Sequence, residues 1–265
     1  MYRAFKLNIE IKNEYQRYEY FNDFLEAGEL IKEKQKIRMF EALSLVTNET
    51  GIICADELLE YWFPVKKNDV FISYSHNDQD TALKLAGFLK QELNLNVFLD
   101  CLVWGSADEL LRKIDDIYCI KTNNTYDYHK RNFSTSHVHS MLSTSILKAM
   151  DHSEIVIFIN SANSTYTLKS GFKDEKHTLS PWIYQELIYA ATINKLPDRY
   201  IIHGLDESTR ANYAATDLNI AYPVSDEKFT NISRTDLLEW KNRYKSKKVS
   251  LHPLDILYQI TSERR

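Results

Sequence analysis

With 265 residues, 44% of them apolar, the chain has room for a full core and a second small unit. Its 33 basic and 37 acidic residues leave a formal charge of −4, which gives no overall basic footprint for nucleic acid. No apolar run approaches membrane-spanning length, no secretory leader opens the chain, and Cys54, Cys101 and Cys119 read as scattered reduced thiols, so a cytoplasmic protein without a membrane or nucleic-acid partner is expected.

From the start of the chain, Phe5, Leu7, Ile9 and Ile11 alternate as a short strand would. Helical patterns follow at about 14–27, 29–46 and 55–63, with a turn at Asn48-Glu49-Thr50-Gly51 and a stop at Pro64. This predicts a mostly helical N-terminal extension over residues 1–66. Its dense aromatics (Tyr15, Tyr18, Tyr20, Phe21, Phe24, Tyr61, Trp62, Phe63) either form a small core against the rest of the protein or offer a partner surface.

A second unit, residues 67–265, opens with Asp69-Val70-Phe71-Ile72-Ser73-Tyr74-Ser75. Asn96-Val97-Phe98-Leu99-Asp100 and Glu154-Ile155-Val156-Ile157-Phe158-Ile159-Asn160-Ser161 are further short apolar runs ending in polar residues, as in strands buried on both faces of a parallel sheet. Ala82, Leu85, Ala86, Leu89 and Leu93 recur at helical spacing after Asp78, a suitable N-cap; Met141, Leu142, Ile146, Leu147 and Met150 do the same before the third run. Strand and helix in alternation predict an α/β protein with a doubly wound parallel sheet. Ligands bind outside the carboxyl ends of such strands, where Tyr74, Ser75, Asp100 and Ser161 fall.

Between the second and third runs lies an insertion at about 101–135, with a helical stretch from Ala107 to Ile117 and a polar stretch from Lys121 to Ser136. A loop of that length is a lid, an assembly element or disordered. His129, Lys130 and Arg131 precede Ser134-Thr135-Ser136, which would cap the next helix; the amides there are either an ordinary cap or a cradle for a pyrophosphate. His137 and His139 do not share a helical face, and no metal-site spacing surrounds them, so no metal is expected. The chain has neither GxGxxG nor GxxxxGK[ST].

The clearest helix start is Ser180-Pro181-Trp182-Ile183-Tyr184-Gln185-Glu186, with Ser180 as N-cap and Pro181 in the first helical position. Glu186 follows Trp182 by one turn and sits inside a mostly apolar stripe. A carboxylate in that position needs a partner or a task. Residues 235–244 and 253–260 read as closing helices, and the basic run Lys241 to Lys248 as a solvated helix end.

Taken together, Asp-Val-Phe-Ile-Ser-Tyr-Ser at 69–75, Val-Phe-Leu-Asp at 97–100 and Ser-Pro-Trp-x-x-x-Glu at 180–186 resemble the TIR (Toll/interleukin-1 receptor) domain, over roughly residues 67 to 245. The resemblance implies a flavodoxin-like fold. Its bacterial enzymatic branch, including the Thoeris systems of antiphage defence, implies an NAD+ glycohydrolase or ADP-ribosyl cyclase. Glu186 would be the catalytic residue, and Tyr74, Ser75, Asp100 and Trp182 the pocket wall. The family's loop after the second strand carries a glycine, and Gly105 is available for that part, although the insertion departs from the family pattern here. NAD+ would be the substrate, not a cofactor. Implied partners are other copies of the chain, through TIR–TIR contacts, and a separate effector reached through a nucleotide messenger. The product, linear or cyclic ADP-ribose or an adduct, stays open. So do two rivals: a non-catalytic TIR scaffold, and a virulence TIR acting by protein–protein interaction.

Overall fold

The computed structural model describes residues 3–9, 19–42, 67–99, 101–121, 125–170, 173–193, 222–224, 228–246 and 251–263. Five parallel strands form the main sheet: β1 (Arg3–Asn8), β2 (Asn68–Ser73), β3 (Val97–Leu99), β4 (Ser153–Asn160) and, numbering ahead to its place in the chain, β8 (Thr230–Ile232). Their order across the sheet is β3-β2-β4-β1-β8. Val70, Phe71 and Ile72 are all fully buried, as are Ile155, Ile157 and Phe158, so both faces of the sheet are covered. The α/β class and the parallel pairing expected of the apolar runs are therefore present.

Helices α1 (Glu19–Asn22), α2 (Leu25–Ala42) and α3 (Gln79–Leu93) form one layer with α7 (Arg234–Ser246) and α8 (Pro253–Ser262). Helices α4 (Cys101–Tyr118), α5 (Tyr128–Asp151) and α6 (Pro181–Thr192) pack against one another in series. A hairpin, β5 (Tyr166–Ser170) with β6 (Lys173–Thr178), is extended by β7 (Tyr222–Pro223) into a small antiparallel sheet. Among the described residues, no helix is long and apolar enough to cross a membrane.

Three expectations change. The N-terminal strand does not belong to an appended unit: β1 pairs with β4 on one side and β8 on the other, from Arg3↔Ile155 to Asn8↔Asn160 and from Phe5↔Thr230 to Leu7↔Ile232. Its alternating apolar residues fill the sheet's own core, with Phe5 fully buried. Next, α2 runs unbroken through Gly28, where a gap between two helices was expected. That glycine is a contact point: a Cβ on Gly28 would lie 2.0 Å from the Leu83 carbonyl oxygen on α3, and one on Gly87 would lie 2.0 Å from that of Phe24. Phe21 and Phe24 meet Phe88 edge-on at 5.0 and 5.5 Å, so these aromatics do form core. The helix expected at 55–63 lies outside the described residues.

The third change concerns the insertion. Its helix is longer than expected, from Cys101 to Tyr118, and the polar stretch from Tyr128 onward is already helical. Asp127 starts that helix by accepting from the His129 and Lys130 amides at 2.9 and 3.1 Å. The His129 and Lys130 amides are thus satisfied by a carboxylate, and Ser134-Thr135-Ser136 lie inside the helix, so neither the cap nor the pyrophosphate cradle that this cluster left open forms there.

Candidate active site

Helix α6 begins as its sequence dictates, with the Ser180 hydroxyl accepting from the Ile183 amide at 3.2 Å and Pro181 in the first turn. Its buried stripe is Ile183, Glu186, Leu187 and Ala190, the i, i+3, i+4, i+7 spacing of a core-facing helix. An acid therefore occupies a core position, and Glu186 is only 1% exposed. Its Oε2 accepts a hydrogen bond from Ser73 Oγ at 2.5 Å. At that distance the hydroxyl lies at the short end of the range for O–H···O bonds.

Ser73 is the last residue of β2, at the carboxyl edge of the parallel sheet. Side chains alternate along a strand, so Phe71 and Ser73 share one face while Val70, Ile72 and Tyr74 share the other. β2 lies beside β4, and the chain leaves them in opposite directions, through α3 to the outer β3 and through α6 toward the far side of the sheet. Such a divergence marks the place where parallel sheets bind ligands, outside the carboxyl ends of the two strands. Glu186 is held at that edge.

Two loops close around the same edge. Asp78 stands at the start of α3 but makes no capping bond. Its carboxylate instead accepts from Ser161 Oγ at 2.5 Å and Asn163 Nδ2 at 2.8 Å, tying the loop after β2 to the loop after β4. Tyr74 is 4% exposed and part of the apolar core, whereas Ser75 is half-buried and opens the short 3-10 turn His76–Asp78. Trp182, half-buried, has its ring 5.3 Å from that of His139 on α5. Gln185 accepts from Ser143 Oγ at 3.2 Å and donates to the Tyr189 hydroxyl at 2.6 Å, fixing α6 against α5.

Of the residues expected at the site, Tyr74 and Ser75 directly follow Ser73, and Trp182 shares α6 with Glu186. Asp100 lies outside the described residues. Gly105 lies within helix α4, not in a loop. Ser73, the partner of Glu186, was missed; strand parity from Phe71 was the available signal. Also missed was a rung of asparagines along the carboxyl edge. Asn160 Nδ2 donates to Asn8 Oδ1 at 2.7 Å, and Asn8 Nδ2 donates to Asn231 Oδ1 at 3.1 Å.

The inserted helices are joined by a buried polar cluster. Asp115, 2% exposed, accepts from Ser134 Oγ at 2.5 Å and from Arg131 Nε at 2.9 Å. Burial pushes this carboxyl upward, but the Ser134 hydroxyl, the Cys119 thiol and the Arg131 guanidinium outweigh it and hold it below the usual carboxylate range. Cys119 lies 3.8 Å from Ser134 Oγ, and burial, with Asp115 beside it, pushes its thiol up, which disfavours the reactive thiolate. His137, stacked edge-on against Phe133, and His139 are exposed on α5; among the described residues no group of three His, Cys, Asp or Glu could hold a metal. Comparisons with family models, with curated proteins and with solved structures find no match.

Proposed function

We propose that this protein cleaves the nicotinamide–ribose bond of NAD+, as an NAD+ glycohydrolase or ADP-ribosyl cyclase, with Glu186 as the catalytic carboxylate. The observation that carries the reading is the burial of that acid against Ser73 at the carboxyl edge of a parallel sheet. Nicotinamide leaves as a neutral pyridine, so its departure needs no general acid. One carboxylate can bind the ribose hydroxyls and stabilise the positive charge growing at the anomeric carbon. Ser73 is suited to orient it, and Trp182 is near enough on α6 to stack on a ring of the substrate.

The likeness of three motifs to the TIR domain supports the same reading, including a flavodoxin-like arrangement of the sheet. Counted from β2, the places β3-β2-β4 follow the 2-1-3 order of flavodoxin-like sheets, whereas the fourth place is held by the N-terminal β1. An acid 1% exposed meets substrate only after the elements above it move. On this reading turnover is gated, and self-association of the chain is the expected trigger. Defence signalling through an ADP-ribose-derived messenger is the role that fits such an enzyme.

A scaffold without catalysis is the second reading, because the same Ser73 bond would satisfy a purely structural acid. Nicotinamide release, followed by chromatography over a range of protein concentrations, separates the two. Turnover that falls at least about 1,000-fold in folded Glu186→Gln is expected from loss of the main transition-state interaction. Ser73→Ala is expected to lower kcat more than it changes KM. A wild-type protein inert at every concentration, or a Glu186→Gln variant as active as the wild type, would overturn the enzyme.

A further inference from the structure

We propose that a second site, on the other side of the sheet from Glu186, binds a phosphorylated small molecule of nucleotide size. It is a cavity of about 590 Å³ at the carboxyl ends of β1 and β8, walled by α3 and α7, and Glu186 and Ser73 do not line it. Its volume falls within the range of small-molecule sites, and its place is where parallel sheets receive ligands.

The lining is divided by chemistry. Leu7, Phe21, Leu85, Ile232 and Leu237 supply an apolar floor wide enough for a base or sugar. Above it stand groups able to donate. Lys84 is half-buried and has neither an ion pair nor a hydrogen bond among the described residues. A lysine placed this way buries its aliphatic stem along the wall and keeps its ammonium open to an anion entering the cavity. Thr81, one helical turn earlier on α3, presents a hydroxyl with no partner among the described residues. Asn8 and Asn231 border the cavity at the strand ends, where Asn231 Oδ1 accepts from Asn8 Nδ2.

The acid at this cleft is engaged in the cap of its own helix. Asp236 Oδ2 accepts from the Ser233 amide at 2.7 Å and the Ser233 hydroxyl at 2.8 Å, closing the first turn of α7 on itself. Arg234 lines the cavity as well, but is engaged within the fold, so Lys84 is the cation available to a ligand. An ammonium and a hydroxyl one helical turn apart on the cavity wall call for a ligand rich in acceptor oxygens, and phosphate is the small group that meets both. The cavity exceeds a bare phosphate, which leaves the apolar floor for an attached nucleoside or sugar.

Calorimetric titration of the full chain with ADP, pyrophosphate and adenosine tests this. ADP is expected to bind best, pyrophosphate more weakly and adenosine least. Lys84→Ala should weaken ADP by roughly tenfold and Lys84→Arg should restore most of it. Thr81→Val, which changes no charge, should weaken ADP by about threefold. Glu186→Gln should leave ADP binding unchanged, so failure of the catalytic reading and failure of this site are read separately. The proposal is overturned if neither ADP nor pyrophosphate binds at about 5 mM. It also fails if Lys84→Ala and Lys84→Glu bind ADP as the wild type does, if adenosine binds as tightly as ADP, or if Glu186→Gln abolishes binding.

Discussion

At the scale of single residues, the molecule keeps two carboxylates out of water by the same means, a serine hydroxyl pressed against one oxygen. Glu186 has Ser73 and Asp115 has Ser134. For Asp115 the consequence for stability has a definite sign. Its carboxyl titrates lower in the folded protein than in the unfolded chain, so its stabilising effect is complete above the unfolded pKa of about 3.9. That contribution is lost as pH falls through the lower, folded value. Asp115→Asn should cost about 1–3 kcal/mol near neutral pH, and the gap in Tm between variant and wild type should narrow as pH falls toward about 3. A gap of constant size in calorimetric scans would show that the acid contributes nothing as an ion. How much of this was legible differs from residue to residue. Helical spacing after a strong N-cap put Glu186 among apolar neighbours correctly. Asp78 was misread, because an acid before a helix looks the same whether it caps or reaches across to Ser161 and Asn163.

At the scale of elements, the contact of α2 with α3 depends on two glycines. A methyl on either would meet a backbone carbonyl oxygen at 2.0 Å, and backbone cannot rotate away. In an open helix Gly→Ala stabilises by up to about 1 kcal/mol; here overpacking of about 1–3 kcal/mol or more opposes it. Gly87→Ala should therefore lower the urea midpoint, and a raised midpoint would mean that the helices are further apart than described. The sequence shows a glycine as a weak point in a helical pattern, and only a neighbour's position turns it into a contact. The same limit applied at α5: a polar run rich in serine reads as loop, yet the Asp127 cap lets it continue as helix from Tyr128. The hairpin β5–β6 was passed over, because Tyr166–Ser170 and Lys173–Thr178 are too polar to show the apolar alternation of a strand.

For the whole molecule, periodicity gave the strands and helices but not the sheet order, which depends on pairings between distant segments. Nothing local distinguishes Phe5, Leu7 and Ile9 as an inner strand from the same residues at the rim of an appendage. The two possibilities have opposite consequences for truncation. Removing residues 1–9 takes out the strand between β4 and β8, and the remaining chain should show no cooperative thermal transition by circular dichroism. A truncated chain that melts sharply near the wild-type temperature would mean that β1 is dispensable. The central place of β1 also bears on how the protein is made. About 145 residues separate Asn8 from Ser153, the start of its first partner. At ~5–20 residues per second the ribosome needs roughly 7 to 30 s to cover that stretch. Throughout that wait a greasy strand stands without its mates, a natural hold for a nascent-chain chaperone and a point where slow synthesis invites clumping.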